Sequence, residues 1–398
     1  MTRQLQDAYI VAATRTAVGK APRGAFKSTR PDTLLAHVIR SVLAQVPSLD
    51  AGRVDDAIVG CAMPEFEQGM NVARIGVLLA GLPSSVAGMT INRFCSSGLN
   101  AVSIAADRIR TGEADVMIAA GTESMSMIPM LGRIAMNEAV FARDENLGIA
   151  YGMGLTAEKV AAQWQVSREA QDAFALASHQ KALAAQAAGE FDAEVSPFTV
   201  HEDVPDLAND RIVGREKVVS RDEGPRADTS AEGLAKLKPV FAAKGSVTAG
   251  NSSQMSDGAG ASILVSERVL RELSLAPLAR WVGYAVGGVP PEIMGVGPIA
   301  AIPKVLKTSG LKQDDLDWIE LNEAFAAQSL AVMNELALDP AKVNPLGGAI
   351  ALGHPLGATG AIRTATIVHG MRRRKQRYGM VSMCIGTGMG AAGIFEAV

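Results

Sequence analysis

Ile91-Asn92-Arg93-Phe94-Cys95-Ser96-Ser97-Gly98-Leu99-Asn100 joins two kinds of hydrophobic periodicity and sets a cysteine at the join. Residues 86–94 are β-rich and largely apolar, whereas Leu99, Val102, Ala106 and Ile109 recur at helical spacing until Gly112 ends the run. The pattern is strand, turn, helix, with Cys95 at a helix N-terminus. Unpaired N–H groups and the positive end of the helix dipole favour a thiolate there, the nucleophilic form of cysteine. Taken alone the residue also fits a buried, inert thiol.

The same alternation extends outward from this stretch. Residues 8–12 read as a strand. An amphipathic helix follows, carrying Leu34, Leu35, Val38, Ile39 and Val42, with Asp32 after Pro31 as its expected cap. Next come a strand at 57–61, a helix through Val72, Ile75, Leu78 and Leu79, the Cys95 unit, and a strand at 116–120. Strands alternating with helices imply an α/β fold with a mostly parallel sheet covered on both faces. The order returns later as strand 278–286, helix 298–308, strand 317–321, helix 323–336, a glycine-rich turn, helix 356–372, and strands 379–385 and 391–395. In this register the helix after Cys95 and the helix after His354 hold equivalent places, which makes an internal structural repeat.

Three units follow: an N-terminal half at 1–123 completed by 243–272, an insertion at 124–242, and a C-terminal half at 273–398. The insertion has its own texture, with Met125, Met127, Met130, Met136 and Met153 read as core filler. It also holds an Ala/Gln-rich helix from Ser167, which has Ala170 where a full capping box has an acid, and a polar segment at 201–226.

Two further stretches suit Cys95. Gly347-Gly348-Ala349-Ile350-Ala351-Leu352-Gly353-His354-Pro355-Leu356-Gly357 offers a histidine in a turn too glycine-rich for core, and Met383-Cys384-Ile385-Gly386-Thr387-Gly388 offers a second thiol before closely spaced glycines. A base, an acid and exposed backbone N–H groups are the parts of acyl transfer. His37, His179, His201 and His369 lie in helical or polar segments and read as packed or solvated. The run Gly386-Thr387-Gly388-Met389-Gly390 is not a dinucleotide fingerprint, because no helix and strand follow it.

Together with Asn322-Glu323-Ala324-Phe325-Ala326, these stretches resemble the thiolase family, in the same order and over nearly the whole chain. The resemblance implies two repeated βαβαβαββ halves with mixed five-stranded sheets packed in layers, plus an inserted loop domain that binds coenzyme A. It implies Cys95 as acyl-forming nucleophile, His354 as its base, and Cys384 as general acid and base. The Cys95 and Gly386 N–H groups would form one oxyanion hole, and His354 with Asn322, acting through a water, a second. It points to Arg226, Phe241, Ala249 and Ser253 for the CoA moiety, with Arg226 pairing a phosphate and Phe241 stacking on adenine, and to Met153, Met294 and Phe325 nearer the reactive end. A surface arginine and a core phenylalanine are the plain alternatives.

Short-chain acetoacetyl thiolases have His-Met-Gly where this chain has Gly152-Met153-Gly154 ahead of Leu155-Thr156-Ala157-Glu158. The resemblance is therefore to the degradative branch that cleaves 3-ketoacyl-CoA; acetoacetyl-CoA and β-ketoadipyl-CoA substrates are the neighbouring alternatives. A ketosynthase is disfavoured, since those sites pair two histidines with one cysteine. A noncatalytic acyl-CoA-binding protein, or a scaffold subunit of a β-oxidation complex, is the alternative of another class.

The totals agree with such an enzyme. A chain of 398 residues exceeds one ordinary core, and 48% hydrophobic with 20% charged residues suits a globular protein. A net charge of -3 gives no general attraction to nucleic acid, and the basic run at Arg372-Arg373-Arg374-Lys375 closes an expected helix. Three cysteines, Cys61, Cys95 and Cys384, argue against a disulfide framework and for a reducing, cytoplasmic setting. No closely spaced Cys/His pair suggests zinc, and no apolar run reaches membrane-spanning length. The resemblance adds no tightly bound cofactor, CoA as a substrate, a homodimer or homotetramer, and a hydratase/dehydrogenase subunit as a further partner.

Overall fold

The computed structural model describes residues 5–130 and 135–398. The chain runs β1 (Ala8–Arg15), β2 (Gly19–Lys20), α1 (Pro31–Ala44), β3 (Asp56–Gly60), α2 (Val72–Leu79), β4 (Ala87–Ile91), α3 (Ser97–Arg110) and β5 (Val116–Ser124). Then come α4 (Met153–Gln163), α5 (Arg168–Ala187), the hairpin β6 (Phe198–Asp206) and β7 (Arg211–Val219), α6 (Ala231–Ala235), β8 (Ser256–Ser266) and α7 (Glu267–Glu272). The remainder is β9 (Ala279–Gly288), α8 (Gly297–Ser309), β10 (Trp318–Leu321), α9 (Ala326–Glu335), α10 (Ala349–Leu352), α11 (Leu356–Arg374), β11 (Tyr378–Ile385) and β12 (Met389–Glu396).

The repeat read from the sequence is present in the pairing. In the first half the order is β4-β3-β5-β8-β1, with β8 antiparallel to its neighbours β5 and β1 and the β3 pairings parallel. In the second half β10-β11-β12-β9 reproduces it, with β12 in the antiparallel role of β8. The fifth strand expected in this half is reduced to one parallel bridge, Ile319 to Val343, at the place that β4 holds beside β3. The two sheets are also continuous, because Tyr9 and Ile10 of β1 pair with Arg280 and Ala279 of β9.

Burial sorts the layers. Leu99, Val102 and Ile109 of α3 share one core with Ile367, Val368 and Met371 of α11, and both sheets contribute to it through Ile58, Met117, Trp318 and Val381. The outer face of the first sheet packs on Leu34, Leu35 and Val38 of α1, and that of the second on Ile302 and Val305 of α8. The central helices touch backbone to backbone: a Cβ on Gly98 would lie 2.5 Å from the Ala361 nitrogen, and one on Gly360 2.1 Å from the Leu99 nitrogen. Glycine at both positions lets the two helices cross this closely, which draws their N-termini together.

Several local expectations change. Arg30, not Asp32, is the N-cap of α1; Pro31 takes the first helical position, and Asp32 binds the Arg30 guanidinium at 2.7 Å. Residues 323–325 are not helical, because the Glu323 side chain is used elsewhere and α9 starts at Ala326. The polar segment at 201–226 is mostly the β6–β7 hairpin, whose exposed alternation the composition concealed. Ser167 does cap α5, accepting from the Ala170 N–H at 3.2 Å. Arg372, Arg373 and Arg374 close α11, and the latter two bind Glu190. Among the described residues no helix is long and apolar enough to cross a membrane.

Candidate active site

Cys95 stands in a single 3-10 turn, Phe94–Ser96, between β4 and α3. Side chains hold this turn: Ser97 Oγ accepts from the Arg93 N–H at 2.8 Å and donates to the Phe94 carbonyl at 2.7 Å, and Asn92 Oδ1 accepts from the Phe94 N–H at 2.8 Å. His354 stands at the foot of α11, the repeat-related place. Gly353 before it has φ +92, and a Cβ there would lie 2.5 Å from Ser256 Oγ, so the turn requires glycine. The His354 N–H donates to that same Ser256 hydroxyl at 3.1 Å. Cys384 ends β11 and is fully buried.

The His354 ring is oriented by a hydroxyl. Thr359 Oγ1 donates to the Pro355 carbonyl at 3.0 Å, so it accepts a hydrogen bond from the N–H of His354 Nδ1, 2.6 Å away. Nε2 is then unprotonated and accepts from Asn322 Nδ2 at 3.3 Å. Burial, with the Arg363 guanidinium, pushes the imidazole down to about 3, which keeps it neutral. Burial pushes the Cys95 thiol up to about 12, against the Gly386 N–H and its own N–H, which both favour thiolate. These two N–H groups act in the direction expected for Cys95, but desolvation outweighs them, and the resting pair is thiol and imidazole. Cys384 is also held far above the usual thiol range, by burial and then by its nearness to Cys95.

A cavity of about 870 Å³ is lined by Cys95, His354 and Cys384 together. Arg226, Phe241, Ala249 and Ser253 line it too, as do Met153, Met294 and Phe325. Asn322 joins through its contact with His354, and Gly386 through its N–H on the Cys95 sulfur. Every residue given a catalytic or binding role from the sequence therefore lines this cavity or contacts a residue that does. The surface reading of Arg226 survives in part, whereas Phe241 is 41% exposed and is not a core residue. The Arg226 guanidinium is 59% exposed and faces Asp228 at 3.3 Å, and the Phe241 ring packs edge-on against Phe325 with centroids 6.1 Å apart. The methionines are not simply filler: Met125, Met130 and Met153 line the cavity, and Met136 is exposed.

Sequence reasoning missed the supports. Glu123, at the end of β5, accepts from the Ala62 and Gly357 N–H groups, both at 2.8 Å, and so ties the foot of α11 to the first half. Glu323 accepts from Ser178 Oγ at 2.6 Å, Asn344 Nδ2 at 2.9 Å and the Ile350 N–H at 3.2 Å, clamping the glycine-rich turn. An acid inside an otherwise apolar stretch was the available signal for both. Thr359 carried no signal, being one threonine among small helix residues.

The family model "Thiolase, N-terminal domain" matches residues 8–268, and "Thiolase, C-terminal domain" matches residues 275–397. A 3-ketoacyl-CoA thiolase of Bacillus subtilis (strain 168) is 48% identical over 393 residues, covering 98% of this chain and 100% of the relative. The human peroxisomal 3-ketoacyl-CoA thiolase is 47% identical over 391 residues, covering 98% and 91%. The crystal structure of the dimeric peroxisomal thiolase of Saccharomyces cerevisiae superposes with a TM-score of 0.89 at 42% identity, covering 99% of this chain and 98% of that one.

Proposed function

Because this chain belongs to the thiolase family, we propose that it is a 3-ketoacyl-CoA thiolase, an acyltransferase that cleaves 3-ketoacyl-CoA with free CoA into acetyl-CoA and a shortened acyl-CoA. The observation that carries the reading is the convergence of two thiols and one Nε2-unprotonated imidazole on a single cavity.

The Cys95 sulfur attacks the 3-keto carbon while its proton passes to His354 Nε2. Transfer has to accompany attack, since neither group is charged at neutral pH in the resting site. The Cα–Cβ bond then breaks, and Cys384 protonates the departing acetyl-CoA carbanion. A fresh CoA gives its thiol proton to the Cys384 thiolate and attacks the acyl-Cys95 thioester, and Cys95 regains its proton from His354. The N–H groups of Cys95 and Gly386 are suited to the oxyanion on the acyl carbon. His354, once Nε2 carries the Cys95 proton, and a water held by the unpartnered buried Oδ1 of Asn322 are suited to the enolate. Each donor contributes about 2.7–4 kcal/mol to such a transition state.

The segment 124–242, together with the loop leading into β8, would cradle CoA, with Arg226 on a phosphate and Phe241 on the adenine. No tightly bound cofactor enters this scheme. The methionine-lined wall suits acyl chains longer than acetyl, because an unbranched thioether adapts to irregular shapes. A homodimer belongs to the same proposal. Its support is the dimeric yeast relative and the edge position of β4, where Met89 is 40% exposed near an exposed Leu78 and Leu79 on α2. The three unpaired cysteines support a reducing, cytoplasmic setting. The hydratase/dehydrogenase partner has no specific feature behind it among the described residues and is not part of the proposal.

Incubation with a 3-ketoacyl-CoA in the absence of free CoA should leave an acyl adduct on the peptide containing Cys95, read by mass spectrometry, and CoA should discharge it. Thiolysis undiminished in Cys95→Ala would end this reading.

A further inference from the structure

Gln328, on α9, is fully buried and has no assigned part in the chemistry above. Its amide orientation follows from its neighbours. With oxygen toward Ser329, it accepts from the Ser329 N–H at 2.7 Å and the Ser329 hydroxyl at 3.0 Å, and its nitrogen donates to the Asn322 backbone carbonyl at 3.2 Å. The opposite orientation sets nitrogen against an N–H and oxygen against a carbonyl, so the network selects the first. The amide atom that then lies 3.2 Å from Cys384 Sγ is the nitrogen, a donor, and not an acceptor for the thiol proton.

We propose that Gln328 is a positioning residue for Cys384: its second amide hydrogen points at the sulfur and stabilises the thiolate form of that cysteine in the acid and base steps. The inference rests on the thiolase reading, in which Cys384 must lose and regain a proton in every turnover. A sulfur this deeply buried holds its proton tightly unless a donor faces it. The Gln328 amide can do so without adjustment, because Ser329 and the Asn322 carbonyl fix both of its ends. The same carbonyl belongs to the residue whose side chain reaches His354, so one amide couples the Cys384 position to the second proposed oxyanion hole.

The test titrates Cys384 directly. In a Cys95→Ser background, the rate of carboxamidomethylation at Cys384 is followed against pH by peptide-resolved mass spectrometry, for Gln328, Gln328→Met and Gln328→Glu. Methionine keeps the length and removes the donor, so the rising limb should move up by about one pH unit, or tenfold in rate at a fixed pH below it. Glutamate sets an acceptor against the sulfur and should move it further. The order wild type, Met, Glu is the signature, since a loss of packing alone would lower stability without ranking the limbs by charge. If the Met protein fails to fold, the isosteric Glu protein measured against wild type still reads the displacement. Superposed limbs, or Glu below Met, overturn the proposal. Adduct formation on Cys95 in the unsubstituted enzyme is run alongside. Its absence sinks the thiolase reading, and its presence with superposed limbs sinks this inference alone.

Discussion

Thr359→Val tests how the structure prepares His354. Valine has nearly the shape of threonine, so the substitution removes one oxygen from a site that is 1% exposed and leaves packing almost unchanged. That oxygen lies 2.6 Å from Nδ1, and its own proton is committed to the Pro355 carbonyl. Without it, a protonated Nδ1 is buried with no acceptor, at a cost of about 1–3 kcal/mol. The other tautomer escapes that cost, because the proton moved to Nε2 can meet Asn322, whose Oδ1 is unpartnered and whose amide need only turn over. Only the Nδ1–H form has an Nε2 lone pair for the Cys95 proton. Thr359→Val should therefore lower the rate of acyl-Cys95 formation by about 5- to 150-fold, the same 1–3 kcal/mol read through the Boltzmann factor. Thr359→Ser, which keeps the oxygen, should stay within a few-fold of wild type. Single-turnover acylation by quenched-flow mass spectrometry reads the step, and urea unfolding of both variants separates it from lost stability. If valine acylates as fast as wild type, or serine is as slow as valine, the hydroxyl does not set the tautomer.

Two further outcomes concern the scaffold. Arg15 is 2% exposed and binds Glu194 at 2.6 Å and Asp222 at 2.7 and 3.0 Å, so Arg15→Met strands two buried carboxylates. Urea unfolding should show a loss of about 3–5 kcal/mol, and a loss below about 1 kcal/mol would contradict the cluster's role. Glu320 is fully buried, and burial pushes its carboxyl from 4.5 up to about 7 against the pull of Arg363 at 3.6 Å. A carboxyl whose value rises on folding holds its proton better in the native state, so its contribution is full below 4.5 and declines as pH rises through 7. Glu320→Gln cannot titrate, and its stability relative to wild type should climb between pH 5 and 8 by on the order of 3 kcal/mol. A difference that stays flat with pH would show that Glu320 folds in charged.

The sequence was most legible where one residue type has one physical use. The period of Leu99, Val102, Ala106 and Ile109 marks a helix in any context, and α3 covers Ser97–Arg110. The glycines around His354 mark a turn, and Gly353 is indeed at positive φ. Recurrence of the strand-turn-helix unit located His354 and Cys95 at equivalent places, which is why residues 259 positions apart could be matched before any contact was known. What stayed hidden depends on partners that no local pattern names. The β6–β7 hairpin is exposed on most of its surface and so lacks the apolar alternation that reports a half-buried strand. The non-helical conformation of residues 323–325 is imposed by Ser178, Asn344 and Ile350, the first of them 145 residues away in sequence. The thiolate expected at Cys95 failed for a related reason. A helix terminus is a local property and can be read from spacing, whereas desolvation is set by everything that closes over the sulfur. The balance at Cys95 is thus decided by the packing of two distant halves, and the same packing that suppresses its charge at rest sets His354 and Cys384 on the wall of the same cavity.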